Sequence, residues 1–291
     1  MQDYQDPTTQ NYIETSTQNL QPMNLSDILD GMFTLYRNHI RLYINIIVVF
    51  FVINYGIDKV LMLAIQDSPT AEGLGSVFLF AIVSMLLSFY IVAVLSYTTA
   101  HVFLGQNISP SNAFIHTLLH FVKFLACSFI YILVLAGLII TIIGIPFAVY
   151  MFIRWGFYTL PLLFEGKSVT KSLKRSSELV KGSWLRTFGI TILIILIVQM
   201  IQTIFSTSIG MIFTLIPGAN EIQDEGILEN LRRMFAPSPI DIGWGIYLIR
   251  SFITLAIHSI LLPIGSIGST LLYFDLRIRK DAYDLEMQVN N

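Results

Sequence analysis

The sequence predicts an all-α fold: a polytopic helical membrane protein with about six transmembrane helices plus amphipathic helices at the membrane interface. Of its 291 residues, 54% are hydrophobic and only 12% are charged, whereas an average soluble domain is about 25% charged. The apolar residues collect in six long stretches, and the basic residues collect in alternate connections between them. The net charge of −2 gives no overall basic excess, so nucleic acid is not an expected partner.

Each of the six stretches has the length that a membrane-crossing helix requires, which is roughly 20 apolar residues. The second, fifth and sixth are longer, at about 30 residues each, so we expect them to tilt, kink or extend beyond the hydrocarbon core. Pro263 predicts a kink in the sixth. The predicted spans are 42–65, 76–104, 122–143, 146–164, 184–216 and 243–274.

The distribution of Lys and Arg predicts the orientation of these spans. One set of connections is rich in basic residues, whereas the alternate set contains only Lys59, Arg232 and Arg233. By the positive-inside rule the rich set is cytoplasmic, so both termini are expected in the cytoplasm and the number of spans is even. The rich set comprises Arg37, Arg41, Lys123, Lys167, Lys171, Lys174, Arg175, Lys181, Arg186, Arg277, Arg279 and Lys280.

The segments outside the spans are mostly polar. Residues 1–22 are rich in Gln, Thr, Asn and Asp and have neither the basic nor the apolar region of a signal peptide. We therefore expect a disordered cytoplasmic tail there, a single transmembrane domain over 23–280 and a second cytoplasmic tail over 281–291. An acidic extracytoplasmic loop is expected at about 217–242. The single cysteine, Cys127, excludes an intramolecular disulfide and is expected to be a small core residue.

Three short amphipathic stretches each lead directly into a span, and we interpret them as interfacial helices. They cover 25–40, 111–121 and 168–183. Ser26 is the expected N-cap of the first. Its apolar residues follow the spacing of a single helical face, and they are Ile28, Leu29, Met32, Leu35 and Tyr36.

The third of these stretches aligns with the first after a shift of 144 residues. In this alignment Leu29 corresponds to Leu173, and Arg37 corresponds to Lys181. The middle stretch aligns less well, because Arg37 faces Phe121. We therefore predict three parallel units, each an amphipathic helix followed by a hairpin of two spans.

Three blocks of sequence together resemble a known bacterial family. They are Leu25-Ser-Asp-Ile-Leu-Asp-Gly-Met-Phe-Thr-Leu-Tyr-Arg37, the group formed by Arg154-Trp155, Leu160-Pro161-Leu162-Leu163-Phe164-Glu165-Gly166, Ser172-Leu173 and Ser183-Trp184, and finally Leu271-Leu272-Tyr273-Phe274-Asp275-Leu276-Arg277-Ile278-Arg279-Lys280.

The family is the one named for the glycerophosphoryl diester phosphodiesterase membrane domain, and the resemblance spans roughly 24–286. It implies a multi-pass protein of the bacterial inner membrane. Gly144-Ile145-Pro146 departs from the family's Pro-Gly turn between spans three and four. The sequence contains neither the His-Arg-Gly start nor the Glu-x-Asp pair of the soluble phosphodiesterase, so the family name implies no such activity here.

Arg154 and Glu165 are the candidate ligand or substrate residues, because a charge at membrane depth costs at least ~2.5 to 3.5 kcal/mol on insertion scales. They are eleven residues apart, so on one helix they would share a face at a separation of about 16 Å and would not pair directly. Arg154 then requires a lipid phosphate, a substrate anion or an acceptor on another span. The alternative is a structural arginine bound to backbone carbonyls.

The third amphipathic stretch supplies the candidates for binding lipid headgroups, namely Lys171, Lys174, Arg175 and Lys181. Each basic residue near an anionic membrane surface contributes up to about 1 kcal/mol to lipid binding. The alternative is that these residues only set the orientation of the spans.

Other polar residues have simpler interpretations. Arg250 lies near the outer end of the sixth span, where its long side chain reaches the interface. His258 is expected to pack, and Gln202 to hydrogen-bond between helices. His116 and His120 share a helical face, but the sequence between them lacks the Glu of a zinc hydrolase and no third ligand is apparent. A metal site is therefore not expected.

These observations favour a non-enzymatic inner-membrane protein that engages lipid headgroups or a membrane partner through its basic cytoplasmic face. One alternative is a transporter or permease component with a polar site near Arg154. Another, implied by the family resemblance, is a membrane module associated with lipid or glycerophosphodiester metabolism. The sequence contains no Walker motif, nucleophile elbow or dinucleotide fingerprint, so no enzyme class or cofactor is predicted.

Overall fold

The structure is a computed structural model that describes residues 22–67, 71–214 and 239–289, and within these ranges all the regular structure is helical. The all-α prediction is therefore confirmed. The expected tail at 1–22, except for its last residue, and most of the loop at 217–242 lie outside the described residues. The helices are α1 (Leu25–Asn38), α2 (Ile40–Asp67), α3 (Ala71–Phe103), α4 (Pro110–Ile139), α5 (Gly144–Trp155), α6 (Thr159–Leu163), α7 (Val169–Val180), α8 (Trp184–Thr214), α9 (Pro239–Ile242) and α10 (Trp244–Val289).

Within the described ranges, five helices are long and apolar enough to cross a membrane: α2, α3, α4, α8 and α10. At most 22% of the apolar window of any of them is buried inside the protein. The remaining apolar surface is stable only against lipid, because exposed apolar patches of this extent are unfavourable in water. The chain is a multi-pass integral membrane protein.

The fourth predicted span, 146–164, is not one continuous helix, which corrects that prediction. It forms α5 and α6, of 12 and 5 residues. At 1.5 Å per residue, α5 covers about 18 Å, which is less than the ~30 Å hydrocarbon core. Pro161 has no N–H for the carbonyl of Phe157, and a proline is tolerated in the first turn of a new helix.

Ser176 of α7 stabilises the break between α5 and α6. Its hydroxyl accepts a hydrogen bond from the N–H of Phe157 at 3.2 Å and donates one to the carbonyl of Arg154 at 2.9 Å. Backbone groups released by a helix break at membrane depth must be satisfied by protein. One buried serine thus bonds both the last turn of α5 and the backbone within the break.

Two of the three predicted interfacial stretches form separate helices, α1 and α7, and the middle one does not. Residues 111–121 belong to α4, which continues without a break to Ile139. The end of α7 has a turn at Gly182, whose φ of +90° is in the left-handed region that favours glycine. The N-cap of α1 is Asn24 rather than Ser26, because Asn24 and Asp27 form a reciprocal capping box.

At the other end of the chain, the predicted tail at 281–291 is helical as far as Val289. Pro263 lies inside α10, and the helix continues on both sides of it.

The chain forms two compact units built from non-contiguous segments. Unit one comprises the residues up to 45 together with 88–194 and 263 onward, and unit two comprises 46–87 and 195–262. In unit one, Cys127 is buried in a core with Phe124, Tyr158 and Leu162. The hydroxyl groups of Tyr158 and Ser128 are hydrogen-bonded at 2.7 Å, so the polar atom of this core tyrosine is satisfied.

Candidate functional site

Arg154 lies in a cleft of unit one, at the meeting point of α5, α7 and α8. It occupies the last turn of α5, and Lys181 and Gly182 form the turn between α7 and α8. The cleft has a volume of 150 Å³. Its lining residues are Tyr150, Arg154, Ser177, Val180, Lys181, Gly182 and Trp184.

Local contacts hold Arg154 at the cleft. Tyr150 and Arg154 are four residues apart and therefore share a face of α5. The guanidinium lies 5.6 Å from the centre of the Tyr150 ring, within the range of a cation–π interaction. The indole N–H of Trp184 donates to the carbonyl of Tyr150 at 3.3 Å, which ties the start of α8 to α5.

The charge of the cleft is positive. The seven lining residues include the guanidinium of Arg154 and the ammonium of Lys181, and none of the seven is Asp or Glu. Ser177 adds a hydroxyl group. Two cations and a hydroxyl are the groups that bind phosphate or carboxylate oxygens by charge-assisted hydrogen bonds. The cleft therefore has the chemistry of an anion site.

Two apolar residues close in sequence to lining residues of the cleft have exposed side chains. Phe147, one turn before Tyr150 on α5, is 61% exposed, and Leu185, next to Trp184, is 75% exposed. In a membrane protein such side chains contact acyl chains. A cationic cleft beside them is suited to a ligand with an anionic headgroup and an apolar tail.

Glu165 does not line this cleft. Lys167 lies 2.5 Å from Oε2 of Glu165, and the hydroxyl of Tyr273 donates to Oε1. Arg175 and Arg277 approach the two oxygens to 3.9 and 3.8 Å. Burial by itself raises the pKa of Glu165, but these hydrogen bonds and positive charges outweigh burial and hold the pKa below 4.5. Glu165 is thus a counter-ion inside the protein.

Arg175 belongs to the same group of charges. Its Nη2 lies 3.2 Å from Asp281, which also contacts Arg277 at 3.4 Å. Burial lowers the pKa of Arg175, but Asp281 and Glu165 together raise it above its ordinary value. We call this group the Glu165 cluster, and it comprises Glu165, Lys167, Arg175, Tyr273, Arg277 and Asp281.

The four predicted headgroup candidates therefore occupy three different environments. Lys181 lines the cleft, and Arg175 is held in the Glu165 cluster. Lys171 and Lys174 are exposed on α7, and Lys174 is 3.9 Å from Glu178 one turn along. The structure brings Arg154 together with Lys181 and places Glu165 elsewhere.

Asp275 is a charged residue whose role the sequence analysis missed. Its side chain is fully buried and accepts hydrogen bonds from Arg186 at 2.5 Å, from Arg279 at 2.9 Å and from the N–H of Met23 at 2.8 Å. Both arginines also donate to the carbonyl of Met23 at 2.8 Å. The sequence feature that could have revealed this role is an Asp in an apolar run with an Arg four residues later.

The histidine pair of α4 forms part of an aromatic stack. The rings of His116 and His120 are 4.5 Å apart, and Tyr97 stacks on His116 at 4.2 Å. Nδ1 of His120 lies 3.0 Å from the carbonyl of His116. Among the described residues, no group of three or more His, Cys, Asp or Glu side chains is arranged to hold a metal ion.

No family model, curated protein or solved structure matches the chain.

Proposed function

We propose that this multi-pass membrane protein is non-enzymatic and that it binds the headgroups of anionic lipids in the cleft between Arg154 and Lys181. The observation that carries the proposal is the convergence of these two cations on one cleft whose lining contains no carboxylate. The exposed Phe147 and Leu185 supply the apolar contact that the acyl chains need.

The expected loss of lipid affinity on removing Arg154 and Lys181 follows from their two charges. A basic residue near an anionic membrane surface contributes about 1 kcal/mol, so removing both cations costs about 2 kcal/mol. This corresponds to a loss of roughly 30-fold in affinity.

Native mass spectrometry of the full chain in nanodiscs of mixed phosphatidylglycerol and phosphatidylcholine tests this proposal. We expect the wild type to retain phosphatidylglycerol selectively and the Arg154→Gln/Lys181→Gln double variant to lose this selectivity. The Lys171→Gln/Lys174→Gln variant is the matched control, because it removes the same charge from the exposed face of α7. Equal losses in both variants would show general surface attraction and contradict a defined site.

A transport role for Arg154 has less support. Sites for small solutes usually have volumes of about 300 to 1,000 Å³, whereas this cleft measures 150 Å³. Membership of the phosphodiesterase membrane-domain family, and with it a role as a membrane module in lipid or glycerophosphodiester metabolism, stays a prediction from the three sequence blocks. Location in the inner membrane, and a second membrane protein as partner, likewise stay predictions.

A further inference from the structure

Unit two contains a second and larger cavity, with a volume of 480 Å³. This volume lies within the range of sites that bind small molecules. Nine of the eleven lining residues have polar side chains. The lining comprises Asn54, Asp58, Leu61, Ser84, Gln202, Tyr247, Arg250, Ser251, Thr254, Leu255 and His258.

The polar groups come from four different membrane-spanning helices. α2 contributes Asn54 and Asp58, α3 contributes Ser84, and α8 contributes Gln202. The other polar groups lie on α10, from Tyr247 to His258, and follow the 3, 4, 7 and 11 spacing of one helical face. Since a charged residue at membrane depth costs at least ~2.5 to 3.5 kcal/mol, such a convergence favours a functional site over chance.

Several of these groups are already fixed by one another. The ammonium of Lys59 lies 2.8 Å from Asp58 and 2.7 Å from the hydroxyl of Ser251. The same ammonium lies 4.2 Å from the centre of the Tyr247 ring. Gln202 and His258 hydrogen-bond to each other. The wall is therefore preorganised, which lowers the cost of binding.

Packing alone does not account for this arrangement. Polar residues that only join helices bring those helices into close contact, whereas these residues surround a space large enough for a solute. The lining contains one cation, Arg250, and one carboxylate, Asp58. Lys59 does not line the cavity, but its ammonium lies 2.8 Å from Asp58 and neutralises it. Arg250, Asp58 and Lys59 together carry a net positive charge. The amides of Asn54 and Gln202 and the wall hydroxyls supply further donors and acceptors.

We infer that this cavity binds a small, water-soluble organic anion through a carboxylate or phosphate group. Arg250 lies in the wall and is 5% exposed, and its planar guanidinium matches the paired oxygens of either group. Asn54 and the hydroxyls contact the polar remainder of the solute. The site is distinct from the cleft at Arg154, because the two linings share no residue.

Isothermal titration of the full chain in phosphatidylcholine nanodiscs tests this inference, with succinate and methyl phosphate as the anionic probes and tetramethylammonium as the cationic control. We expect at least one anion to bind with a dissociation constant near or below about 1 mM. Absence of binding by both anions, or tighter binding of tetramethylammonium, overturns the inference.

Two substitutions in the wall test whether the anion binds in this cavity. Arg250→Lys keeps the positive charge but loses the planar fork, so we expect the dissociation constant to rise about tenfold. Asn54→Leu replaces an amide of the wall by an apolar group of similar size and should weaken binding several-fold. Asn45→Leu makes the same change at an exposed position of α2 that does not line the cavity. Undiminished binding in both wall variants excludes the cavity.

Two further measurements distinguish anion binding in this cavity from lipid binding at Arg154. The Arg154→Gln/Lys181→Gln variant should bind succinate and methyl phosphate as the wild type does, whatever its selectivity for lipids. Adding phosphatidylglycerol to the nanodiscs should leave the dissociation constants unchanged. Displacement of the anions by this lipid would assign the cavity to a lipid headgroup and overturn the assignment to a soluble solute.

Discussion

The buried Asp275 shows what residue-level reasoning from the sequence reaches and what it misses. Helical spacing relates Asp275 to Arg279, four residues on, and the two are 2.9 Å apart. Spacing says nothing about Arg186 or Met23, which are 89 and 252 residues away along the chain. The sequence therefore predicts the local half of such a network, and the tertiary fold supplies the remainder.

Replacing Asp275 by Asn is expected to destabilise the protein strongly. The change leaves Arg186 and Arg279, which are 32% and 38% exposed, without the carboxylate that neutralises them, and a hydrogen bond to a charged group contributes about 1.5 to 3 kcal/mol. The midpoint of thermal unfolding in detergent measures the loss. Asp281→Asn is the control, because Asp281 is 46% exposed and exposed pairs contribute at most about 1 kcal/mol. Similar losses in both variants would contradict a special role for Asp275.

The lowered pKa of Glu165 predicts that the stability of the folded protein falls in acid. Its pKa is lower in the folded protein than the ordinary 4.5, so its contribution is fully present above pH 4.5 and is lost as the pH falls through the folded value. Glu165→Gln should therefore flatten the fall in the unfolding midpoint below pH 4.5. Glu178→Gln, at an exposed position beside Lys174, should leave this fall intact. An unchanged acid response in Glu165→Gln would refute the prediction.

At the scale of elements, hydropathy located the helices but not their interruptions. The apolar face of α1 follows from residue periodicity, and the long spans follow from the length of their apolar stretches. The break between α5 and α6 does not, because it depends on Pro161 and on a hydrogen-bonding group from α7. Likewise Gly182 ends α7 before α8 begins, whereas α4 runs on through the middle amphipathic stretch. Hydropathy averages over such single residues.

Ser176→Ala tests the role of this serine at the helix break. The change removes the hydroxyl that bonds both Phe157 and Arg154, and a buried backbone group left unsatisfied costs about 1 to 3 kcal/mol. We expect a lower unfolding midpoint and weaker selectivity for phosphatidylglycerol, since the end of α5 positions Arg154. Ser172→Ala is the control, because its hydroxyl bonds only the carbonyls of the two residues just before its own helix. Equal stability of the two variants would argue against this role.

For the whole molecule, the contacts within unit one decide whether the broken α5–α6 segment carries the chain across the membrane. Asp275 of α10 contacts Met23 before α1 and Arg186 at the start of α8. The rings of Phe103 at the end of α3 and Phe274 on α10 are 4.7 Å apart. We therefore expect all these points to lie on one side of the membrane. Since α4 is long enough to cross from that side and α8 begins on it, we predict that α5 and α6 together return the chain.

The predicted topology has six crossings, although within the described ranges only five helices are long enough to cross alone. Single cysteines in a Cys127→Ser background, labelled with a membrane-impermeant maleimide, test it, because Cys127 itself is buried. Gln106→Cys and Ser168→Cys should react from the same side of the membrane, which the positive-inside rule identifies as the cytoplasm. Thr141→Cys, between α4 and α5, should react from the opposite side. Labelling of all three from one side would show that α4 does not cross and would overturn the topology.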